Sequence, residues 1–129
     1  MKTKEDFINK VHLVISIIIV IPAAIIYGFD VETSLEMYAE TIDEQNFNKA
    51  IMGLYLGFSV LWTLGITKKD YFKTAIISNI IFMLGLASGR ILSIVFDGIP
   101  SPGFFYGTIG ELILGVYGLF ILKRLFKKA

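Results

Sequence analysis

Arg90 and Glu111 are charged residues set inside apolar runs, Arg90 in the run 74–96 and Glu111 in the run 104–122. A charge placed inside a membrane-length run costs about 2.5–3.5 kcal/mol on insertion scales, so it takes a partner or lines a wet cavity. Between the two runs lies Asp97-Gly98-Ile99-Pro100-Ser101-Pro102-Gly103, dense in turn formers. Asp bonds to its own following backbone, glycine permits positive φ, and proline stops a helix. Arg90 lies ten residues before Pro100 and Glu111 eleven after it. In an antiparallel helical hairpin they fall level, on the order of 10 Å below the membrane interface. A bidentate Arg–carboxylate pair there would satisfy much of the hydrogen-bonding capacity of each.

Other polar residues extend this pair into a candidate cluster. Asn79 is eleven residues before Arg90, nearly on its helical face, and extends a polar line inward. Asn48 and Lys49 precede the second apolar run, and Asp97 stands at the hairpin turn. Arg90, Glu111, Asp97, Asn79, Lys49 and Asn48 are therefore the candidate ligand-binding residues. Two readings remain open: an ion pair that only locks the hairpin, or a pocket for a lipid headgroup, a small polar ligand or a proton. Gly107, Gly110, Glu111, Gly115 and Gly118 share one stripe of a helix, and Gly85-x-x-x-Gly89 and Gly53-x-x-x-Gly57 repeat the small-residue spacing. Such spacing lets helix backbones approach closely in lipid. Packing within the chain is preferred here over a homodimer seam. Tyr27, Tyr55, Tyr106 and Trp62 read as interfacial anchors or bundle packing.

Other chemistry lacks its residues. The chain has no cysteine and one histidine, His12, at the edge of the first apolar run. Thiolate and multi-histidine metal sites are thereby excluded, and no Ser-His-Asp arrangement can be built at Glu111's depth. No glycine-rich phosphate loop is present. No catalytic residue, metal or cofactor is assigned, and nothing argues for an enzyme.

The elements that must carry the cluster follow from composition. Of 129 residues, 55% are hydrophobic and only 18% charged, too few charges to cover a soluble domain of this size. Runs at about 11–29, 50–67, 74–96 and 104–122 are each about as long as a bilayer's hydrocarbon core. The expected fold is all-α: one transmembrane domain over 1–129, an integral-membrane four-helix bundle, with Pro22 as a kink in the first span. The first run is too long for a signal-peptide core. It carries no charge and is expected to form mainly a lipid-facing wall.

Ten of the twelve basic residues flank these runs on one side: Lys2, Lys4 and Lys10, then Lys68, Lys69 and Lys73, then Lys123, Arg124, Lys127 and Lys128. The other side receives Asp30, Glu32, Glu36, Glu40, Asp43, Glu44 and Asp97. Basic loops stay in the cytoplasm, so both termini are expected inside a bacterial cytoplasmic membrane, with the candidate cluster toward the outside. The basic tail suits anionic lipid and not nucleic acid. In the first outer loop, Leu35, Tyr38 and Ile42 recur at helical spacing with acidic residues on other faces, which predicts a short amphipathic helix.

The segment Arg90-Ile-Leu-Ser-Ile-Val-Phe-Asp97-Gly98-Ile-Pro100, followed by Glu111, resembles a family of small bacterial four-span membrane proteins of unassigned function. That pattern is an Arg, then Asp-Gly-x-Pro, then a Glu in the last span. Lys49 and Gly53 match its earlier basic residue and glycine, with lysine here where arginine is usual. The resemblance implies this size and topology, with these residues as its signature, and brings no activity. A more distant likeness to DoxX-like four-helix proteins rests on architecture.

The favoured function is binding of a small ligand or lipid headgroup in an outer-side polar pocket, or an accessory role beside a partner membrane protein. The alternatives are a dimeric proton- or cation-coupled transporter using Glu111, and a membrane-embedded enzyme. Compact exporters of this size carry their glutamate in the first span, which here has no acid, and Arg90 competes for the carboxylate that a coupling cation would need.

Overall fold

The computed structural model describes residues 2–29 and 40–128. Among them the chain forms α1 (Lys2–Phe29), α2 (Ile42–Thr67), α3 (Phe72–Asp97) and α4 (Pro102–Lys128), with one 3-10 turn over Lys69–Tyr71 ahead of α3. No strand occurs among these residues. All four helices are long and apolar enough to cross a membrane, with window hydropathies from 1.6 to 2.5. Helices close every backbone hydrogen bond internally, as hydrocarbon demands. The protein is thus an all-α, four-helix, multi-pass membrane bundle, as its composition predicts.

Each helix outruns its apolar core, for local reasons. Thr41 caps α2: its hydroxyl accepts from the Glu44 amide at 3.1 Å, while the Glu44 carboxylate accepts from the amides of Thr41 at 3.2 Å and Glu40 at 2.6 Å. This reciprocal box satisfies amides that a helix start otherwise leaves unpaired. It places Ile42 and Asp43 in the first turn of α2, not in a separate loop helix. Leu35, Tyr38 and the rest of the expected amphipathic helix up to residue 39 lie outside the described residues. At the other connection, Gly98 takes φ +108° and donates its amide to the Ile94 carbonyl at 3.2 Å, a left-handed geometry that favours glycine. Pro102 opens α4 as well as preventing α3 from continuing, because the first helical turn needs no N–H there. Pro22 lies within the unbroken α1.

The helices pack as two antiparallel hairpins, α1 with α2 and α3 with α4, joined mainly through α2 and α3. The bundle has two distinct ends: a termini end, which holds Lys2, Thr67, Phe72 and Lys128, and a hairpin end, which holds Phe29, Ile42, Asp97 and Pro102. The core runs through Leu13, Val20, Ala24, Tyr55, Trp62, Ile76, Met83 and Ile121. Hydroxyls inside it are satisfied within their own helices, as in Ser16 to the His12 carbonyl at 2.7 Å and Ser59 to the Tyr55 carbonyl at 2.8 Å.

Two expectations are corrected. α1 is no mere lipid-facing wall: His12, Leu13, Ser16, Val20, Ala24 and Tyr27 are all buried, and Gly28 lies against Met52 of α2. Lacking charge made this helix look passive, yet its buried positions recur every three or four residues. Nor do the glycine pairs serve packing within the chain. A Cβ added at Gly53, Gly57, Gly85, Gly89, Gly107 or Gly110 would meet nothing within 4 Å. The glycines that do admit a neighbour are Gly28 against Met52, Gly65 against Ala75, Gly115 against Leu84, and Gly118 against Ile80 and His12.

Candidate functional site

The hairpin turn brings Arg90 and Glu111 level, and their side chains meet. The Arg90 Nε donates to both Glu111 carboxylate oxygens, at 3.0 and 3.1 Å. The contact is a fork from one nitrogen, not the two-nitrogen bidentate pair that the hairpin register suggests. The reason lies in α1: Arg90 Nη2 donates to the Tyr27 hydroxyl at 3.2 Å, turning the outer part of the guanidinium away from Glu111. Phe104 completes the setting, its ring centroid 5.4 Å from the Arg90 Cζ and stacked on Tyr27 at 6.4 Å with an 8° interplanar angle. The cation is thus held by a carboxylate, a phenol and a π face, supplied by α1 and α4. Tyr55 of α2 also interacts with the Arg90 side chain, so three of the four helices meet the α3 guanidinium.

The pair is only partly enclosed, with side-chain exposures of 21% for Arg90 and 13% for Glu111. Two cavities account for this. One, of about 230 Å³, runs from Tyr27, Arg90, Glu111 and Gly103 at the hairpin end down to Val20, Met83 and Leu114. The second, wider and more open at about 800 Å³, lies between α2 and α3, where Asn48, Ser93, Gly85 and Gly89 line it. Tyr27, Tyr55, Leu86 and Arg90 belong to both and form the wall between them. Glycines on α3 and α4 therefore widen cavities where side chains would otherwise fill them.

The six candidate residues do not converge as a set. Arg90 and Glu111 are paired, and Asn48 lines the wider cavity. Asp97 accepts from Ser93 Oγ at 2.8 Å at that cavity's rim. Lys49 is exposed, its Nζ 6.0 Å from the Phe29 ring, and lines neither cavity. Asn79 also lines neither: it is fully buried toward the termini end, and among the described residues its amide oxygen and nitrogen have no hydrogen-bond partner. His12 is in the same position, 1% exposed, its ring 5.4 Å from that of Tyr117 and both nitrogens unpartnered among the described residues. Ten residues into α1 it sits about 15 Å along the helix, enclosed by the bundle although it stands at the edge of its apolar run. No group of three or more His, Asp or Glu capable of holding a metal occurs among the described residues.

Tyr27, which the sequence reading treats only as an anchor or packing, and Phe104, to which it gives no role, both contact Arg90. The usable signal was valence: an arginine offers five N–H donors, more than one carboxylate engages in this geometry. A phenol in the last turn of α1, on the same side as the α3–α4 turn, is the nearest candidate for the remainder.

No curated protein and no solved structure matches the chain. The family model described as a domain of unknown function, DUF4345, matches residues 8–122, a stretch that takes in Tyr27, Arg90, Phe104 and Glu111. The chain accordingly belongs to this DUF4345 family.

Proposed function

We propose that this protein binds the polar part of a small ligand or lipid at Arg90, Glu111 and Tyr27, on the side of the membrane opposite its two termini. The observation that carries this reading is the position of the Arg90 guanidinium, which is held by Glu111 and Tyr27 and still lines two cavities. A pair whose purpose is only to lock the α3–α4 hairpin needs no space around it. Pockets with a few convergent polar groups on apolar walls are where small ligands bind. The basic residues at the termini end support a cytoplasmic location for both termini, in a bacterial cytoplasmic membrane, with the site toward the far face.

Binding is tested by native mass spectrometry of the protein released from membranes in mild detergent. The expected result is a retained small molecule or lipid in the wild type and its loss in Arg90→Gln, with helicity unchanged in both. Adducts equal in the two proteins would sink the reading. The chain has no cysteine, so Ile99→Cys and Lys68→Cys report topology cleanly. A membrane-impermeant maleimide applied to intact cells should label only the first.

A further inference from the structure

The smaller cavity has a shape and a setting that narrow the class of ligand. It lies in the seam between α1 and α4, helices that touch little along their length. At the hairpin end that seam is shut by the stacked rings of Tyr27 and Phe104. At the termini end it is shut by the His12–Tyr117 ring contact, by the Tyr117 hydroxyl bonded to the Ile8 carbonyl at 2.7 Å, and by Arg124 at 3.7 Å from Glu5. Between these closures the cavity walls are Ile19 and Ala23 on one side and Tyr106, Gly107 and Gly110 on the other, with Ile19 51% and Tyr106 68% exposed. Both lie on the bundle's lateral surface, which faces hydrocarbon in a membrane.

From this we infer that the cavity is a lateral slot admitting, from the bilayer, a single-chain amphiphile with a small neutral, hydroxyl-bearing head of the monoacylglycerol type. This inference rests on the binding reading above and specifies its ligand.

Three features define the class. The first is width. From Tyr27 to Ile19 is eight residues, about 12 Å of helix, and the small cavity of about 230 Å³ lies along that length in the seam of two neighbouring helices, a shape that suits one hydrocarbon chain better than two. A head and the first part of a chain fit, with the remainder trailing into lipid between α1 and α4. The second is depth: the polar end is at Arg90 and Glu111, and the walls below are apolar as far as Val20, Met83 and Leu114. The third is charge. Arg90 and Glu111 together carry no net charge, and among the described residues no other carboxylate or ammonium lines the slot. An anionic head would be set against Glu111 and a cationic head against Arg90, in surroundings where screening is weak. A hydroxyl avoids both, accepting from a guanidinium N–H while donating to a spare carboxylate lone pair.

The test uses the full chain in phosphatidylcholine nanodiscs with a monoacylglycerol bearing a diazirine on its chain. Irradiation should label peptides spanning 19–27 of α1 and 103–114 of α4. Unlabelled monoolein should compete at concentrations about tenfold lower than oleate or dioleoylglycerol, one decade in affinity. Gly107→Leu should reduce labelling about tenfold by filling the slot. A Cβ at Gly107 meets nothing within 4 Å, and a melting curve checks that the leucine variant keeps the fold. Gly53→Leu, on a glycine that lines neither cavity, should label as the wild type does. Labelling spread over lipid-facing positions such as Ile18 and Ile81, or equal competition by all three lipids, would overturn the slot. If a polar ligand is lost in Arg90→Gln yet is indifferent to Gly107→Leu, the head site stands and the single-chain slot falls. If neither substitution matters, both fall.

Discussion

At the termini end the four helices close on one another, whereas at the hairpin end α1 and α2 stay in contact at Gly28 and Met52 while cavities open around an ion pair. The closed end is built from Trp62, fully buried against Phe58 and Phe82 with its Nε1 donating to Ser78 Oγ at 3.2 Å. Gly65 and Gly118 there admit Ala75 and Ile80 from α3. The open end has Gly85, Gly89, Gly107 and Gly110, chemically identical residues, bordering empty space. Small residues are therefore not a uniform signal of helix contact. Lipid is as apolar as the core, so helices associate in it through fit and hydrogen bonding. One end of this bundle combines close fit with hydrogen bonds such as that of Trp62 to Ser78, and the other relies on Arg90, Glu111 and Tyr27.

The largest effect should come from removing one charge at the open end. Glu111→Ala and Arg90→Ala should each lower stability by about 2–4 kcal/mol, below the range for fully enclosed pairs because both side chains retain some exposure. The double substitution should cost less than the sum of the two, since it strands neither charge. Reversible unfolding in mixed micelles measures all three. Additive losses would mean that the two charges act independently and that the open end is held by other contacts.

Glycine substitutions probe the same contrast at smaller amplitude. Gly65→Ala sets a methyl against the Ala75 methyl and the Tyr71 carbonyl, neither of which can swing away, and should cost about 1–3 kcal/mol. Gly107→Ala and Gly85→Ala meet nothing and should be neutral, or stabilise by up to about 1 kcal/mol through helix propensity. Equal losses at all three positions would erase the distinction between the two ends.

Much of this architecture is legible in the sequence, because hydrocarbon imposes its rule residue by residue. Four apolar runs mean four helices, and charges ten and eleven residues from Pro100 meet in an antiparallel hairpin. Helix ends were less legible where capping extended them, although Thr41-Ile42-Asp43-Glu44 carries the capping-box spacing in plain view. The least legible feature was which glycines touch a neighbour, since spacing gives the face of a helix but not the distance to the next one. That distance is set by tertiary packing between helices remote in sequence. The role of Tyr27 was hidden for the same reason: its bond to Arg90 spans 63 positions, and no local pattern encodes it.

Asn79 offers the finest test of where the polar site ends. Its helical face aligns it with Arg90, yet it lies in the packed half, buried, with neither amide atom bonded among the described residues. A buried polar group without a partner costs about 1–3 kcal/mol, so Asn79→Leu, close to it in size, should leave stability unchanged or raise it by about 1 kcal/mol. Ligand retention at Arg90 should be the same in this variant as in the wild type, because Met83 and Leu114 form the floor of the smaller cavity and Asn79 lines neither space. A loss of retention at unchanged stability would place Asn79 in the site after all. The boundary between the packed half and the open half would then be a gate that polar groups cross, and not a floor.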